Sequence, residues 1–381
     1  MNHNGNEQRA PRVLMFSQEN ICEHAVWRCS FHEFQRIVQE IDAVDVIAPP
    51  TRPWYLNGKR AALRTGQYFR LPFNPGVRPV KLERDYDLFF AVVEKPSELL
   101  NLRAVNWKDR CKTSICWVTE FYAYEIATHK SCMEVLAEFD HVLFMFVTSD
   151  PFQREIGGRG SYLAAGVDCE LFCPVPNPPA RSIDVLSIGR RSPVTHQALL
   201  RAMRDKELFY VYDTINDLRA YDLDEHRLLT AQRAQRSRYF IVNPGKINMP
   251  EETGGQSEFG YRFFEAAAPG TIMLGERPRN NKEFDRIFHW EDAVIEMPFD
   301  CPEIVSLIRD LDRQPERQRK IRETNIVQCL LHHDWVYRWE AALAIAGLAP
   351  LPELSARKRR LQQLAAGVQE LQREAKKSGG R

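Results

Sequence analysis

No stretch of this chain is apolar for long enough to cross a bilayer. Its apolar runs, such as Val142-Leu-Phe-Met-Phe-Val147, have strand length, whereas a spanning helix needs about 20 such residues. Charge of one sign is missing too. Lys and Arg number 52 against 51 Asp and Glu, a net charge of +1, so no chain-wide field recruits nucleic acid or an acidic membrane. The first residues, Met1 to Pro11, are polar and lack the apolar core of a signal peptide, and the expected location is the cytoplasm. The nine cysteines are odd in number and contain no C-x-x-C pair, which argues against a disulfide framework. Cys169 and Cys173 have a spacing found in some zinc sites, but no second pair follows at finger-like distance. Reduced, mostly buried thiols and no metal are expected.

What is present fits a soluble α/β protein. With 381 residues, 44% apolar and 27% charged, the chain suffices for two ordinary domains, each with its own core. Short apolar runs at 12–16, 44–48, 87–93, 113–118 and 141–147 read as buried strands. Phe31, Phe34 and Val38 recur at helical spacing within 26–38. Strands apolar throughout and alternating with helices predict a parallel sheet covered on both faces. Pro174-Val-Pro-Asn-Pro-Pro179 can be neither helix nor inner strand and reads as a linker. Beyond it the alternation restarts, with strands at 183–188, 209–212, 239–242 and 271–274 and helices at 195–204, 300–311 and 316–331. The expected division is a disordered leader 1–11, a first domain 12–173, a linker 174–179, a second domain 180–345 and a tail 353–381. Any ligand is expected in the cleft between the carboxyl ends of the two sheets. In the basic tail, Leu354, Leu361, Val368 and Ala375 repeat every seven residues. Such a short seam either packs on the body or pairs two subunits as a homodimer.

The segment Ser257-Glu-Phe-Gly-Tyr-Arg-Phe-Phe-Glu265-Ala-Ala-Ala-Pro-Gly270 carries most of the chemistry. A turn containing Thr253-Gly-Gly255 opens an alanine-rich helix. Backbone N–H groups and the dipole at such a helix start favour a phosphate. Two turns in, Glu265 offers an acceptor-only carboxylate suited to both hydroxyls of a ribose. Together these suit a nucleotide diphosphate. An ordinary surface carboxylate on a common type of helix is the competing reading.

Three segments in order resemble glycosyltransferases of the two-Rossmann (GT-B) architecture. They are similar to the family-1/family-4 group and especially to its CgeB-like, spore-maturation-protein-like branch. Ala165-Gly-Val-Asp168 with Phe172 and Pro174 resembles the crossing between that family's domains. Val185-Leu-Ser-Ile-Gly-Arg190 resembles the strand end opening its donor domain, and Ser257–Gly270 resembles its donor-binding helix. His333-Asp-Trp-Val-Tyr-Arg-Trp339 is similar to the CgeB-like ending. The resemblance covers about 163–345. It implies that Glu265 holds the ribose diol, that Phe259 and Gly260 offer N–H groups to the distal phosphate, and that Gly189 and Arg190 meet the diphosphate. The family's first glutamate, eight positions before Glu265, is Ser257 here, so the contact to the donor sugar departs from the pattern. The family's lysine after the Gly-Arg pair is also missing; His196 stands in that region, and Lys246 is the substitute cation.

On the acceptor side Glu120, just after a strand, reads as a general base or as an orienter of a sugar hydroxyl. A helix-start carboxylate is the alternative. His24 is the base if the enzyme inverts, with Trp27 and Arg28 near the acceptor, while His332 and His333 read as structural. The triplets Asp222-Leu-Asp224 and Asp310-Leu-Asp312 read as a charged loop and a helix face rather than a manganese site. The implied activity is transfer of a sugar from a nucleotide-diphosphate donor, UDP above others, to an unidentified glycan, protein or small molecule. It would be retaining, without metal or cofactor, and without nucleic acid as a partner. Two further readings stand beside it: a non-catalytic nucleotide- or glycan-binding module, and a nucleotide-sugar epimerase.

Overall fold

The computed structural model describes residues 10–21, 26–146, 149–213 and 220–378. The chain forms two compact units. The first comprises Met1–Glu23, Val38–Ala164 and Glu340–Leu354, the second His24–Ile37, Ala165–Trp339 and Ser355–Arg381.

The elements in chain order up to residue 162 are β1 (Val13–Phe16), α1 (Cys29–Ile41), β2 (Val44–Ile47), α2 (Tyr55–Phe69), β3 (Tyr86–Val93), β4 (Cys111–Val118), α3 (Lys130–Leu136), β5 (His141–Phe144), α4 (Ser149–Ile156) and β6 (Gly160–Tyr162). The first unit is a six-stranded sheet in the order β2-β1-β3-β4-β5-β6, and each pair is parallel. Its strands are apolar because helices and loops cover both faces. On one face Phe89, Trp107 and Phe139 stack with centroids 4.8 and 4.9 Å apart. The helix α2 lay outside the expected elements: glycines at 58 and 66 and scattered Arg dilute its period. It is held by buried Tyr55, Ala62 and Gly66, and Tyr55 donates to Asn101 Oδ1 at 3.1 Å. Asn101 in turn donates to Gln18 Oε1, just past β1, at 2.9 Å.

The remaining elements are α5 (Cys169–Phe172), β7 (Ile183–Ser187), α6 (Pro193–Arg204), β8 (Tyr210–Tyr212), α7 (Leu223–Gln235), β9 (Ser237–Val242), α8 (Tyr261–Ala267), β10 (Ile272–Gly275), α9 (Lys282–Ile287), β11 (Ile295–Glu296), α10 (Ile304–Asp312), α11 (Pro315–His332), α12 (Trp335–Ile345) and α13 (Pro352–Ser378). The second sheet runs β11-β10-β9-β7-β8, again parallel. After β8 the chain returns to the other side of β7, so the strand order reverses between β7 and β9. In open α/β sheets ligands bind outside the carboxyl ends of the strands at such a reversal. Gly275 closes β10 against β9; a methyl group there would sit 1.6 Å from the Val242 carbonyl oxygen.

The proline run 174–179 lies inside the second unit, whereas the units change at Ala164/Ala165. The reason is anchorage upstream of the prolines. Val167 N–H donates to the His333 carbonyl at 3.1 Å, and Cys169 N–H donates to Asp334 Oδ2 at 2.9 Å. Asp168 caps α5, accepting from the N–H groups of Glu170 and Leu171. The tail resolves toward packing: Leu354, Leu361, Ala365 and Val368 are buried within the chain. Over this stretch the apolar face of the helix packs within the chain. Among the described residues no helix is long and apolar enough to cross a membrane. The eight described cysteines are free, and all but Cys111 are buried.

Candidate functional site

The reversal point of the second sheet is built from the loops after β7 and β9 and the start of α8. After β7 the chain turns through Gly189 at φ 88°, a value that side-chain-bearing residues rarely adopt. Gly189 N–H donates to Asp213 Oδ2 at 2.9 Å, and Asp213 also pairs with Arg191. These contacts fix the loop and leave Arg190 exposed, its Nη1 reaching Met249 Sδ in the loop after β9. Met249 N–H donates to the Lys246 carbonyl at 2.8 Å, so Arg190 and Lys246 belong to one corner. Lys246 adopts φ 52°, and its Nζ lies 3.5 Å from Glu252 Oε2.

The helix α8 starts at Gly260 with no side chain capping its N–H groups. Gly260 has φ −120°, open to any residue, and a methyl group there would meet nothing within 4 Å. Neither backbone nor packing accounts for a glycine at this position. Phe259 and Phe263 pack edge-to-face at 6.1 Å, burying the helix start against α9 through Phe284. Ser257 Oγ accepts from Arg279 N–H at 3.1 Å. The neighbouring Glu258 is buried and takes Asn281 Nδ2 at 3.1 Å and Gln256 Nε2 at 2.6 Å.

Glu265 departs from the open acceptor expected of it. It is only 4% exposed, with Oε1 taken by Arg227 Nη1 and Oε2 by Arg262 Nη1 at 2.7 Å. Burial pushes its carboxyl up, but the charges of Arg262 and Arg227 outweigh this and hold it below the ordinary glutamate range. Arg262 also lies over the Phe240 ring at 5.8 Å, and its Nη2 lies 3.9 Å from where a methyl on Gly189 would sit. Arg262 thus lies between Gly189 of the β7 loop and Glu265. Arg227 is shared further: its Nε donates to Glu33 Oε2 at 2.7 Å. Glu33 also accepts from Trp335 Nε1 at 2.7 Å and Asp168 N–H at 2.8 Å. Burial raises the Glu33 carboxyl above its usual range, Arg227 opposing and Asp168 adding to it.

Of the residues singled out in the sequence, Gly189, Arg190, Lys246, Gly260 and Glu265 come to one end of one sheet. Ser257 is turned toward the loop after β10. His196 sits on α6, its Nδ1 3.0 Å from Tyr210 OH, and so does not replace the missing lysine. Glu120 lies half-buried beyond the carboxyl end of β4 in the first unit, its N–H donating to the Glu94 carbonyl at 2.8 Å. His24 lies outside the described residues. Asp222 caps α7, accepting from Glu225 N–H at 2.9 Å; Asp224 lies in the first turn of that helix rather than in a loop. Asp312 is taken up by Arg238 and by Tyr239 OH. Arg262 was missed although its three-residue spacing from Glu265 on a helix was readable. Arg227 and Glu33 carry no such local signal.

Residues 197–344 match the family model described as "Glycosyl transferase-like". No curated protein matches the chain. Among solved structures, "Trehalose-6-phosphate from E. coli bound with UDP-2-fluoro glucose" superposes at TM-score 0.50 with 9% identity, covering 89% of this chain and 100% of that one. An "alpha-glucosyltransferase in complex with UDP and a 13_mer DNA containing a HMU base" does so at TM-score 0.50 with 10% identity, covering 88% and 98%. These likenesses show the fold. It is the GT-B glycosyltransferase fold.

Proposed function

We propose that the protein is a glycosyltransferase of the CgeB-like branch whose second unit binds a nucleotide-diphosphate sugar, UDP-linked above others. The observation that carries this reading is the Gly189–Arg262–Glu265 corner at the strand-order reversal, of which Arg262 and Glu265 lie within the stretch that matches the family model. Arg190, Lys246 and Arg262 supply positive charge where a diphosphate leaving group gains negative charge, a preorganised electrostatic arrangement that works without a metal. The unoccupied space over Gly260 lets a phosphate approach the start of α8. A carboxylate has about four acceptor positions; Arg227 and Arg262 each take one at the buried Glu265. In this reading a ribose hydroxyl therefore uses a remaining position or displaces Arg262, the more exposed of the two partners. We assign the acceptor to the first unit, with Glu120 orienting or deprotonating its hydroxyl and retention as the stereochemical outcome.

Titration calorimetry with UDP tests the donor site. The wild-type protein is expected to bind. Gly260→Val, whose Cβ would meet nothing within 4 Å, is expected to lose at least tenfold in affinity with its unfolding temperature nearly unchanged. No heat and no thermal shift with any nucleoside diphosphate would overturn the reading.

One observation favours a second reading, binding without transfer. Ser257 stands where a glutamate would meet the donor sugar, and Glu258 beside it is buried and hydrogen-bonded. Release of free sugar from a UDP-sugar by the pure protein would decide for transfer chemistry; tight binding with no turnover across donors would decide for the module.

A further inference from the structure

The first unit carries a surface that the overall charge conceals. Between Asp45 and Glu83 there is no acidic residue, yet there are seven Lys and Arg. Six of the thirteen exposed large apolar side chains among the described residues fall in this same segment: Trp54, Leu56, Tyr68, Phe69, Leu71 and Phe73. The geometry follows from α2. With Tyr55, Ala62 and Gly66 buried, the opposite side presents Leu56, Arg60, Arg64 and Tyr68 at successive four-residue steps. The helix ends at Arg70 in a left-handed conformation, φ 53°, and the chain continues through exposed Leu71 and Phe73. Tyr68 is 77% exposed and Phe69 69%, so these rings are not core residues with an edge showing. Arg60 and Arg64 have no carboxylate partner among the described residues. Arg70 pairs loosely with Glu134 at 3.6 Å, both side chains exposed.

Soluble surfaces mix both signs of charge and keep large apolar side chains scattered. Here one sign is absent and the apolar side chains are gathered. Arginines flanked by aromatic and aliphatic side chains on one helix face match a layer offering phosphates above hydrocarbon. Duplex nucleic acid offers the phosphates but no apolar layer for Leu56, Leu71 and Phe73. We propose that α2 and residues 70–73 dock the protein on an anionic phospholipid surface, lying in the headgroup layer without crossing it. This inference stands apart from the nucleotide-sugar reading, because it uses no residue of the second unit.

Co-sedimentation of the full chain with lipid vesicles tests it. The protein is expected to pellet with phosphatidylglycerol–phosphatidylcholine vesicles and to stay in solution with pure phosphatidylcholine. The reversal Arg60→Glu/Arg64→Glu should weaken partitioning by about tenfold or more. Leu56→Ser/Tyr68→Ser should weaken it without changing net charge, which keeps the test decisive if the charge variant folds poorly. Arg313→Glu/Lys320→Glu, the same charge change on the second unit, should leave it unaltered. Absence of pelleting, equal pelleting with neutral vesicles, equal loss in the control pair, or displacement from vesicles by an oligonucleotide at matched salt would overturn the proposal.

Discussion

Arg227 donates through Nε to Glu33 Oε2 at 2.7 Å, with both side chains almost wholly removed from solvent. The same guanidinium serves Glu265, so a helix from the start of the chain and the helix bearing the candidate ribose ligand share one cation. A buried guanidinium is stable only while its carboxylates remain, and they in turn depend on it.

Replacing Arg227 by Met therefore leaves Glu33 and Glu265 buried, Glu33 with neutral donors only. The expected loss is about 3–5 kcal/mol, read as a shift in the urea midpoint. The double replacement Arg227→Met/Glu33→Gln should recover part of that loss. If the double variant is no more stable than the single one, the coupling between the two side chains is not what holds them.

The two glutamates predict opposite pH behaviour. Glu265 is held below the ordinary range because Arg262 and Arg227 outweigh its burial. Its contribution is therefore fully present above the unfolded value of about 4.3 and is lost as pH falls through the depressed folded value. Glu33 is pushed upward, chiefly by burial, so its relative contribution is largest at acid pH and is lost as pH rises through the raised folded value. Unfolding free energies measured across pH should show Glu265→Gln costing most at neutral pH and progressively less in acid. Glu33→Gln should gain on the wild type as pH rises. Parallel profiles for the two variants would contradict the assignment.

The fold was legible where strands are buried on both faces, because uninterrupted apolar runs such as 88–93 and 115–118 leave no other role. The helix α2 was not, because its outward face mixes Arg with Leu and Tyr, a pattern suited to neither core nor ordinary solvent. At the candidate site, the turn at Gly189 and the neighbouring Arg190 could be picked out by sequence, and they lie at the carboxyl end of β7. Glu265 was located by spacing, but its state was not, since the residues that set it are Arg262 one turn away and Arg227 from another helix. The proline run marks an irregular chain rather than the change of units at Ala164/Ala165, next to which Asp168 makes contacts far along the sequence.

Those contacts give the tail a role that heptads alone did not indicate. Arg357 donates to Asp334 from Nε at 2.8 Å and from Nη2 at 2.7 Å. Its Nη2 also donates to Asp168 at 2.7 Å, and Nη1 meets Glu170 at 3.1 Å. Asp168 retains Arg36 at 2.7 Å, but Asp334 is buried and depends on Arg357 for its ion pair. Arg357→Ala is expected to cost about 3–5 kcal/mol, and truncation before residue 352 at least as much. An unfolding temperature unchanged by the truncation would show that α13 contributes no stability to the second unit.

Arg262 offers the sharpest test of the candidate site, because its two neighbours predict different consequences. Its bond to Glu265 Oε2 is partly exposed, and Glu265 keeps Arg227 when it is lost, so stability should fall only modestly in Arg262→Met. Its position beside Gly189 places a charged donor where a diphosphate would lie in the proposed complex. A charge-assisted hydrogen bond is worth about 1.5–3 kcal/mol, so UDP affinity should drop by about tenfold to a hundredfold. Calorimetry at matched salt on the wild type, Arg262→Met and Arg262→Lys separates the alternatives: lysine restores charge without the planar fork and should recover only part of the loss. Affinity equal in all three would remove the corner between Gly189 and Glu265 from the ligand's path, since no diphosphate seated there could be indifferent to that guanidinium.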